Sequence, residues 1–387
     1  MERSTRFLFV ISIVALLIST VSFAYTYNAL SEISRPIQEL RQSVKEISSV
    51  PTVEEYLAKT PHEKALIEGS RKEGKLSFYT GQSGPEGEAL MLGFQKAYPW
   101  IEVEFYRAGA WKLHEKIATE QRARKYYADV LYDQPALVIP KWQEDMVQKP
   151  AYVSPNHVNV DPQWHNLTMG FHAVRVSVMA PIVNTKLVPK ELWPKDWKDF
   201  ANPRPEWVGK VSLGDVRLLA AASSILYCQY ENYGWETTRK IYEGLAKCKA
   251  MLFTGTTQGM EMCISGERPI GFYNLMDRFQ DAYSKGAPVA FLPMESGWIV
   301  YQMGMTMLKN PPHPNTAKLF IDWCLTEEAA LVILHSAMNF PLCKNVKETL
   351  PGVPRLEELK FMRFDAVQAE KKAAELLAEW LKIMGIQ

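Results

Sequence analysis

Residues 76–106 read LSFYTGQSGPEGEALMLGFQKAYPWIEVEFY and contain one complete strand–helix–strand unit. The apolar runs LSFYT (76–80) and IEVEFY (101–106) are typical of strands, and PEGEALMLGFQKAY (85–98) predicts an amphipathic helix between them. This order predicts two parallel strands joined by a right-handed crossover. The loop TGQSGPEG, which connects the first strand to the helix, is made almost entirely of small or turn-forming residues.

The same alternation of strands and helices continues along the chain. WKLHEKIATEQRARK (111–125) predicts a second helix, and ADVLY (128–132) predicts a third strand. No Gly-x-Gly-x-x-Gly pattern follows a strand, which argues against a dinucleotide-binding domain. Two longer β-rich stretches, at 171–185 and 288–308, lie on either side of a further α/β segment. We therefore predict an α/β fold with two lobes, joined by two segments that cross between them.

Small or polar residues follow several of the predicted strands, where the next helix begins. In an open α/β sheet, ligands bind beyond the carboxyl ends of the strands, where helix N-termini offer unpaired N–H groups and a partial positive charge. Glycines also let the backbone approach a ligand closely. Such a cleft suits a small polar or anionic solute. The candidate ligand-binding residues are Gln82, Ser83, Gly84, Trp111, Asp133, Arg217, Thr256, Thr257, Tyr273 and Asn274.

Each candidate also has a purely structural explanation. Trp111 suits either stacking on a ligand or packing in a core, and Asp133 suits either binding a ligand or capping the next helix. Arg217 suits bidentate binding of a carboxylate or phosphate, or else an interlobe salt bridge. The two adjacent threonines suit donation to a solute or capping of their helix, and Tyr273 suits core packing. The sequence leaves these alternatives open.

Composition and motifs limit the class of protein. The formal net charge is +1 and charged residues make up 22% of the 387 residues, so we expect no nucleic-acid partner. No nucleophile elbow, His-Glu-x-x-His motif or P-loop is present, so we expect neither an enzyme nor a cofactor. Two alternatives of another class are a membrane-anchored hydrolase that uses Asp133 and Asp277, and a ligand-sensing domain. The five cysteines have no zinc-site spacing and are expected to be mostly buried apolar residues.

Several stretches, in a specific order, resemble extracellular solute-binding proteins of ABC importers, in the group that includes ferric-ion-binding proteins. They are KEGKLSFYTGQSGPEGEALMLGFQKAYPWIEVEFYRAG, ADVLYDQ, VNTKLVPKELWPKDWKDFANPRPEWVGKVSLGD, SGERPIGFYN and MTMLKNPPHPNTAKLFIDWCLTEEAA, and they cover most of residues 73–345. The resemblance implies a type 2 periplasmic-binding-protein fold, in which two hinged α/β lobes close on a solute in the interlobe cleft. It also implies delivery of that small-molecule solute to a membrane permease, without chemistry.

The expected domain limits follow from the positions of the two crossing stretches. Residues 73–175 and 296–387 are predicted to form lobe 1, and residues 176–295 are predicted to form lobe 2. Residues 28–72 are predicted to be a helical spacer. We expect a monomer.

The chain departs from the ferric-binding pattern at two places. Ferric-binding members are similar at YTGQ but commonly have a His next, where this chain has Ser83. Their adjacent tyrosines fall where this chain has Met276 and Asp277, and a methionine thioether is a poor ligand for a hard ferric ion. We therefore expect a polar or anionic organic solute and no metal. The alternative is a ferric-ion-binding transport protein, with oxygen ligands from Asp133, Tyr273 and Asp277.

The N-terminus is predicted to enter a membrane. Residues 7–24 are almost continuously apolar and follow Arg3 and Arg6, so residues 1–27 are predicted to be a signal peptide or a membrane anchor. The Ser22-Phe23-Ala24 pattern favours cleavage, whereas the length suffices to span a bilayer and favours a retained anchor. Either outcome places the lobes outside the cytoplasm, in the periplasm or at the cell surface.

Overall fold

A computed structural model describes residues 60–82, 84–134, 145–350, 356–362 and 365–386. The chain divides into two units, residues 1–69 and residues 70–387. In the first unit, Thr60 and Glu63 accept each other's backbone N–H groups at 3.2 and 2.8 Å and form a capping box for the helix that starts at Pro61. The predicted membrane segment and most of the predicted spacer lie outside the described residues. Within the described ranges, no helix is both long and apolar enough to span a membrane.

The strands and helices follow the predicted alternation. The described strands are β1 (Lys75–Thr80), β2 (Glu102–Arg107), β3 (Val130–Asp133), β4 (Phe171–Asn184), β5 (Val211–Gly214), β6 (Met251–Phe253), β7 (Ile270–Leu275), β8 (Val289–Phe291), β9 (Trp298–Met307), β10 (Phe340–Pro341) and β11 (Phe361–Met362). The described helices longer than a few residues are α1 (Pro61–Glu73), α2 (Gly84–Ala97), α3 (Ala110–Arg122), α4 (Ala220–Tyr233), α5 (Trp235–Lys247), α6 (Thr256–Ser265), α7 (Met276–Ser284), α8 (Pro314–Cys324), α9 (Glu327–Ala337) and α10 (Ala366–Met384).

The described strands form one mixed sheet in the order β2-β1-β3-β9-β4-β7-β5-β6, with β8 and β10 also paired to β4 and β11 paired to β9. Strand β1 is parallel to β2 and β3, and β5 is parallel to β6 and β7. The two predicted crossing stretches are β4 and β9, which pair antiparallel in the middle of the sheet. They join a β2-β1-β3 end to a β7-β5-β6 end.

Strand β4 is long and mainly apolar: ten of its 14 residues are apolar. All 14 residues of FHAVRVSVMAPIVN are buried, and Arg175 is the one residue among them that is always charged. Pro181 lacks a backbone N–H and cannot complete a central ladder. The register between β4 and β7 shifts between Ala180 and Ile182, so the proline sits at an irregularity and the strand continues past it.

Each end of the sheet has an aromatic cluster. At the first end, Phe320 lies 5.2 Å from Phe78 and 4.9 Å from Phe94, measured between ring centroids. At the other end, Phe272 lies 5.4 Å from Trp197 and 4.9 Å from Phe200. These rings supply much of the buried apolar area at both ends. All five cysteines are buried and free.

The C-terminal region contains short elements before its long helix. Leu356–Glu358 form a 3-10 turn, Phe361–Met362 form β11, and α10 begins at Ala366. Helix α10 packs against α4 and α5, which belong to the predicted lobe 2, although 296–387 was assigned to lobe 1. Sequence periodicity reports which face of a helix is apolar but not which partner covers it.

Two histidines are held in the neutral form: buried His172 at the start of β4, and half-buried His165 in the segment before it. His172 Nε2 accepts the Ser154 N–H at 3.0 Å, and its Nδ1 lies 3.1 Å from the Gly170 carbonyl oxygen. His165 Nδ1 accepts the Ala173 N–H at 3.0 Å. Burial lowers the pKa of His172 to about 4 and also lowers the pKa of His165. Protonation would place a hydrogen on a nitrogen that already accepts one.

We expect the fold to lose stability as the pH falls from about 6.5 to about 4. The unfolded chain takes up a proton on each histidine near its ordinary pKa, whereas folded His172 does so only near pH 4. At about 1.4 kcal/mol per pKa unit, His172 alone contributes a loss of about 3 kcal/mol. Urea unfolding at pH 7.5 and pH 4.5 measures the change. His172→Gln should flatten the profile, and His335→Gln at an exposed site should not; equal slopes for the two variants would rule out this cause.

Candidate functional site

The candidate site lies where the carboxyl ends of β1 and β3 meet the middle of the crossing strands. Register places Asp133 opposite Gly304, and it places Ser177 opposite Tyr301. Arg175 and Ser177 lie two residues apart on β4 and therefore face the same side of the sheet. Side chains from both ends of the sheet reach this region.

Arg175 is the centre of a buried polar network. Its side chain is 2% exposed, and its Nε and Nη2 donate to the two carboxylate oxygens of Glu86 at 2.7 and 2.9 Å. Nε also donates to the Tyr132 hydroxyl at 3.0 Å, and Nη1 donates to Ser177 Oγ at 2.6 Å. Nη2 donates to Gln82 Oε1 at 2.9 Å. One guanidinium therefore ties β4 to α2, β3 and the loop after β1.

The charges of this network balance locally. Burial lowers the pKa of Arg175, but the Glu86 carboxylate and the Tyr132 hydroxyl outweigh burial, so the pKa of Arg175 lies above its ordinary value. Burial raises the pKa of Tyr132 well above its usual range, which keeps this phenol protonated. Tyr132 can therefore donate to Glu86 while it accepts from Arg175.

The structure brings the side chains of Gln82 and Asp133 together, next to the Arg175 network. Gln82 Nε2 donates to Asp133 Oδ1 at 3.3 Å, and the Gln134 N–H donates to the same oxygen at 2.8 Å. His114 Nε2 lies 3.4 Å from Asp133 Oδ2. A Cβ on Gly81 would lie 3.0 Å from this carboxylate, so the loop passes close over Asp133. Asp133 is 4% exposed, and these contacts use most of its acceptor capacity.

The other candidates of the first end lie at the starts of two helices. Gly84 is the first residue of α2, and Trp111 is the second residue of α3. Gly109 precedes α3 and supplies no side-chain cap, so the first N–H groups of α3 have no side-chain acceptor there. Ser83 lies outside the described residues.

Arg217 lies at the other end of the sheet, in the loop after β5. Its Nε and Nη2 donate to Asp215 Oδ1 and Oδ2 at 2.9 and 2.6 Å, and its side chain is 41% exposed. The hydrogen bond from Arg217 lowers the pKa of Asp215. The guanidinium is therefore paired within its own loop, and among the described residues it makes no salt bridge to the opposite lobe.

Thr256 and Thr257 are the first two residues of α6. Gly255, not a threonine, is the N-cap, and it has no side-chain hydrogen bond. Asn274 is fully buried, and its Nδ2 donates to the Thr256 carbonyl oxygen at 3.1 Å. The Asn274 amide therefore holds the first turn of α6 in place.

Tyr273 presents a buried hydroxyl without a protein partner. It is 1% exposed, and no hydrogen-bond partner for its oxygen exists among the described residues. Its ring lies against the backbone of Gly214, where a Cβ would overlap the hydroxyl oxygen. Burial raises the pKa of Tyr273 well above its usual range. The group is therefore a neutral donor and acceptor with no hydrogen bond to another described residue.

Asp277 and Tyr301 lie near the Arg175 network. Asp277 Oδ1 accepts the Arg278 N–H at 2.8 Å, and burial raises the pKa of this carboxyl, which Arg278 and Arg175 oppose. Burial raises the pKa of Tyr301 to about 12, and Ser177, Arg175 and Asp277 are all close enough to influence it. Asp277 follows β7 and therefore belongs to the second end of the sheet, whereas Glu86 and Tyr132 belong to the first. Arg175 and Tyr301, on the crossing strands, lie between these two sets of groups.

The described residues contain no group of three His, Cys, Asp or Glu side chains arranged to hold a metal ion. Asp133 is engaged by amide and imidazole groups, and Tyr273 and Tyr301 are kept protonated by burial. In this state the two phenols are neutral hydrogen-bonding groups.

Sequence reasoning missed the residues of the crossing strands and their partners: Glu86, Tyr132, Arg175, Ser177 and Tyr301. One signal was present, since Arg175 is the single Lys, Arg, Asp or Glu within a buried run of 14 residues. Such a charge needs a buried partner and often marks a site. The identity of that partner depends on sheet register, which the sequence does not contain.

Comparison with known families identifies the class of protein. The model of the bacterial extracellular solute-binding protein family matches residues 125–370, which is more than half of the chain. The chain belongs to this family. A relative in Haemophilus influenzae, an uncharacterized protein, is 23% identical over 251 residues, which cover 63% of this chain and 66% of that protein. The match therefore spans slightly less than two thirds of that relative.

Solved structures agree on the fold. Iron-bound HitA from Pseudomonas aeruginosa is 20% identical with a TM-score of 0.69, covering 80% of this chain and 99% of that chain. AfuA from Actinobacillus pleuropneumoniae is 20% identical with a TM-score of 0.68, covering 81% and 99%. Apo ferric-ion-binding protein A from Pasteurella haemolytica is 18% identical with a TM-score of 0.67, covering 80% and 98%. The predicted α/β periplasmic-binding-protein-like fold is confirmed, and its sheet is mixed.

Proposed function

We propose that this protein captures one small polar or anionic solute in a cleft between two lobes and delivers it, unaltered, to the permease of an ABC transporter. Family membership supports the role of solute receptor. The lobes proposed are residues 73–175 with 296–362, and residues 176–295 with helix α10 packed against them. The observation that carries the proposal is the meeting of groups from both ends of the sheet around Arg175 and Tyr301 on the crossing strands.

Capture is proposed to occur by a hinge motion of β4 and β9. Only these two strands run through the middle of the sheet order, so bending them would move one end relative to the other. An open form and a closed form then coexist, and the solute stabilises the closed form because only that form places both sets of groups around it. The Tyr273 hydroxyl, buried and without a described partner, is proposed to bond the solute directly.

The solute is proposed to be organic, with an anionic group. The first turns of α3 and α6 lack side-chain caps and present N–H groups, and Arg217 lies in the loop before α4. The solved AfuA structure has fructose 6-phosphate bound, and that of HitA has iron. A ferric ion held by Asp133, Tyr273 and Asp277 is the alternative.

A calorimetric comparison on the full chain separates these solutes. We expect fructose 6-phosphate or inorganic phosphate to raise the thermal unfolding midpoint and to give a binding isotherm of one solute per chain, because ligands that bind only the folded state stabilise it. Ferric citrate should give neither. Binding of ferric ion with no response to either phosphate would overturn the organic assignment in favour of the alternative.

We expect Arg217→Ala to weaken the binding of an anionic solute by several-fold or more, since the variant loses a charge-assisted hydrogen-bond donor. The fold should remain intact because the guanidinium is 41% exposed. Arg239→Ala is the matched control, because Arg239 is 39% exposed and also paired to a carboxylate, on α5. Equal affinity of the two variants in calorimetry would remove Arg217 from the site.

The location is proposed from the family and from residues 7–24. The receptor works outside the cytoplasm, tethered by its N-terminal segment, as a monomer. Fractionation of expressing cells tests the tether: we expect the full chain in the membrane fraction, and recovery of a shortened soluble chain would indicate a cleaved signal peptide instead.

A further inference from the structure

The side-chain amide of Gln82 can adopt only one orientation. Its Oε1 faces Arg175 Nη2 at 2.9 Å, and its Nε2 faces Asp133 Oδ1 at 3.3 Å. A guanidinium can only donate, and an ionised carboxylate can only accept. A flipped amide would oppose a donor to a donor and an acceptor to an acceptor. Arg175 therefore determines how Gln82 meets Asp133.

The backbone of the same loop has weaker support. The Gln82 N–H donates to Thr80 Oγ1 at 3.0 Å, and Arg107 Nε donates to the Gln82 carbonyl oxygen at 2.6 Å. Arg107 is exposed, and water competes with such a bond. The loop contains glycines on both sides of Gln82, and glycines have many accessible conformations. A buried anchor is needed to keep the loop in one of them.

Arg175 also links this loop to the crossing strands. Its Nη1 donates to Ser177 on β4, and Ser177 lies beside Tyr301 on β9. Its pair with Glu86 holds the first turn of α2, which follows the loop directly. The loop is thus bonded to the strands that would bend as the lobes close.

We propose that Arg175 is a positioning residue of the ligand site: it orients Gln82 against Asp133 and makes the loop after β1 move together with β4. Arg175 acts through Gln82 and does not touch the solute. A loop fixed before binding loses less conformational entropy when the solute arrives, which raises affinity. The part of this inference that concerns affinity rests on the proposed function; the part that concerns the loop does not.

Hydrogen exchange of the full chain without any solute tests the positioning. We expect Gln82→Met to leave the thermal unfolding midpoint nearly unchanged, since Gln82 is only half-buried and the Arg175–Glu86 pair remains. Peptides covering 80–90 should nevertheless exchange at least about tenfold faster, because local opening becomes easier. Peptides from α8 should exchange as before and serve as the internal reference.

A second variant separates positioning from a purely structural role. Arg175→Met combined with Glu86→Leu and Tyr132→Phe removes the buried polar groups together, and such replacements are often neutral for stability. We expect the midpoint to recover relative to Arg175→Met alone, while residues 80–90 still exchange at least about tenfold faster than in the original chain. Glu88→Leu controls for a leucine in the same peptide.

The proposal is wrong if the amide hydrogens of residues 80–90 exchange at the rate of the unsubstituted chain in both Gln82→Met and the triple variant. Because this readout needs no solute, an incorrect solute assignment leaves it intact. A loop that loosens as expected in a chain that binds neither phosphate nor fructose 6-phosphate would contradict the proposed phosphate-bearing solute and leave the positioning role standing.

Discussion

We expect Glu86→Leu to lower the free energy of unfolding by about 3–5 kcal/mol. Glu86 is 1% exposed, and both of its carboxylate oxygens accept from Arg175. Leucine fills a similar space but leaves the guanidinium buried without its counter-charge, and an uncompensated buried charge is among the most costly changes a fold can suffer. Urea unfolding at neutral pH measures the difference.

Glu88→Leu is the matched control for this change. Glu88 lies two residues further along α2 and is exposed, so the same substitution should alter stability by less than about 0.5 kcal/mol. A loss below about 1 kcal/mol for Glu86→Leu would mean that water reaches Arg175, since exposed ion pairs contribute only that much. The buried network would then not be the anchor of the site.

We expect Gly214→Ala to weaken solute binding at least tenfold, or about 1.4 kcal/mol, and to destabilise the fold by about 1–3 kcal/mol. A Cβ at this position would overlap the Tyr273 hydroxyl and lie 2.8 Å from two ring atoms. Tyr273 is 1% exposed and has no open space to occupy, so the ring and its hydroxyl must move away from their place in the site. Calorimetry with fructose 6-phosphate and thermal unfolding report the two effects.

Gly255→Ala provides the comparison. Gly255 also precedes a helix, its φ of −152° is accessible to any residue, and a Cβ there would meet no atom within 4 Å. This variant should retain affinity and lose at most about 1 kcal/mol of stability, because an N-cap position prefers glycine to alanine. If Gly214→Ala behaves like Gly255→Ala, then Tyr273 is not fixed against β5 and its hydroxyl is not a ligand group.

Much of the fold could be predicted because it depends on local patterns. The strand–helix–strand unit of residues 76–106 appears as β1, α2 and β2, since its apolar periodicity changes from strand to helix and back. The two β-rich stretches appear as β4 and β9. Their antiparallel pairing, and the packing of α10 on α4 and α5, depend on contacts between distant parts of the chain and left no local signal.

The placement of the candidate residues at strand and helix ends could be predicted from the sequence, whereas the network around Arg175 could not. Loops at strand ends do carry Gln82, Asp133, Arg217 and Thr256, because the carboxyl ends of parallel strands are a property of the fold. The centre of the network, Arg175, lies within a strand, and its partners Glu86 and Tyr132 lie on α2 and β3. Only tertiary contacts bring these residues together. The use of Asn274 to hold α6 rather than to face the cleft likewise requires the three-dimensional contact.

Native mass spectrometry of the full chain, purified gently from its own cells, tests the central claim most directly. We predict one small molecule bound per chain, released on activation with its mass unaltered, and bound at lower occupancy in the Gly214→Ala variant. Conversion of that molecule into a product by the purified chain would contradict the claim that the protein binds without chemistry. Equal occupancy in Gly214→Ala would contradict the location of the site between the two ends of the sheet.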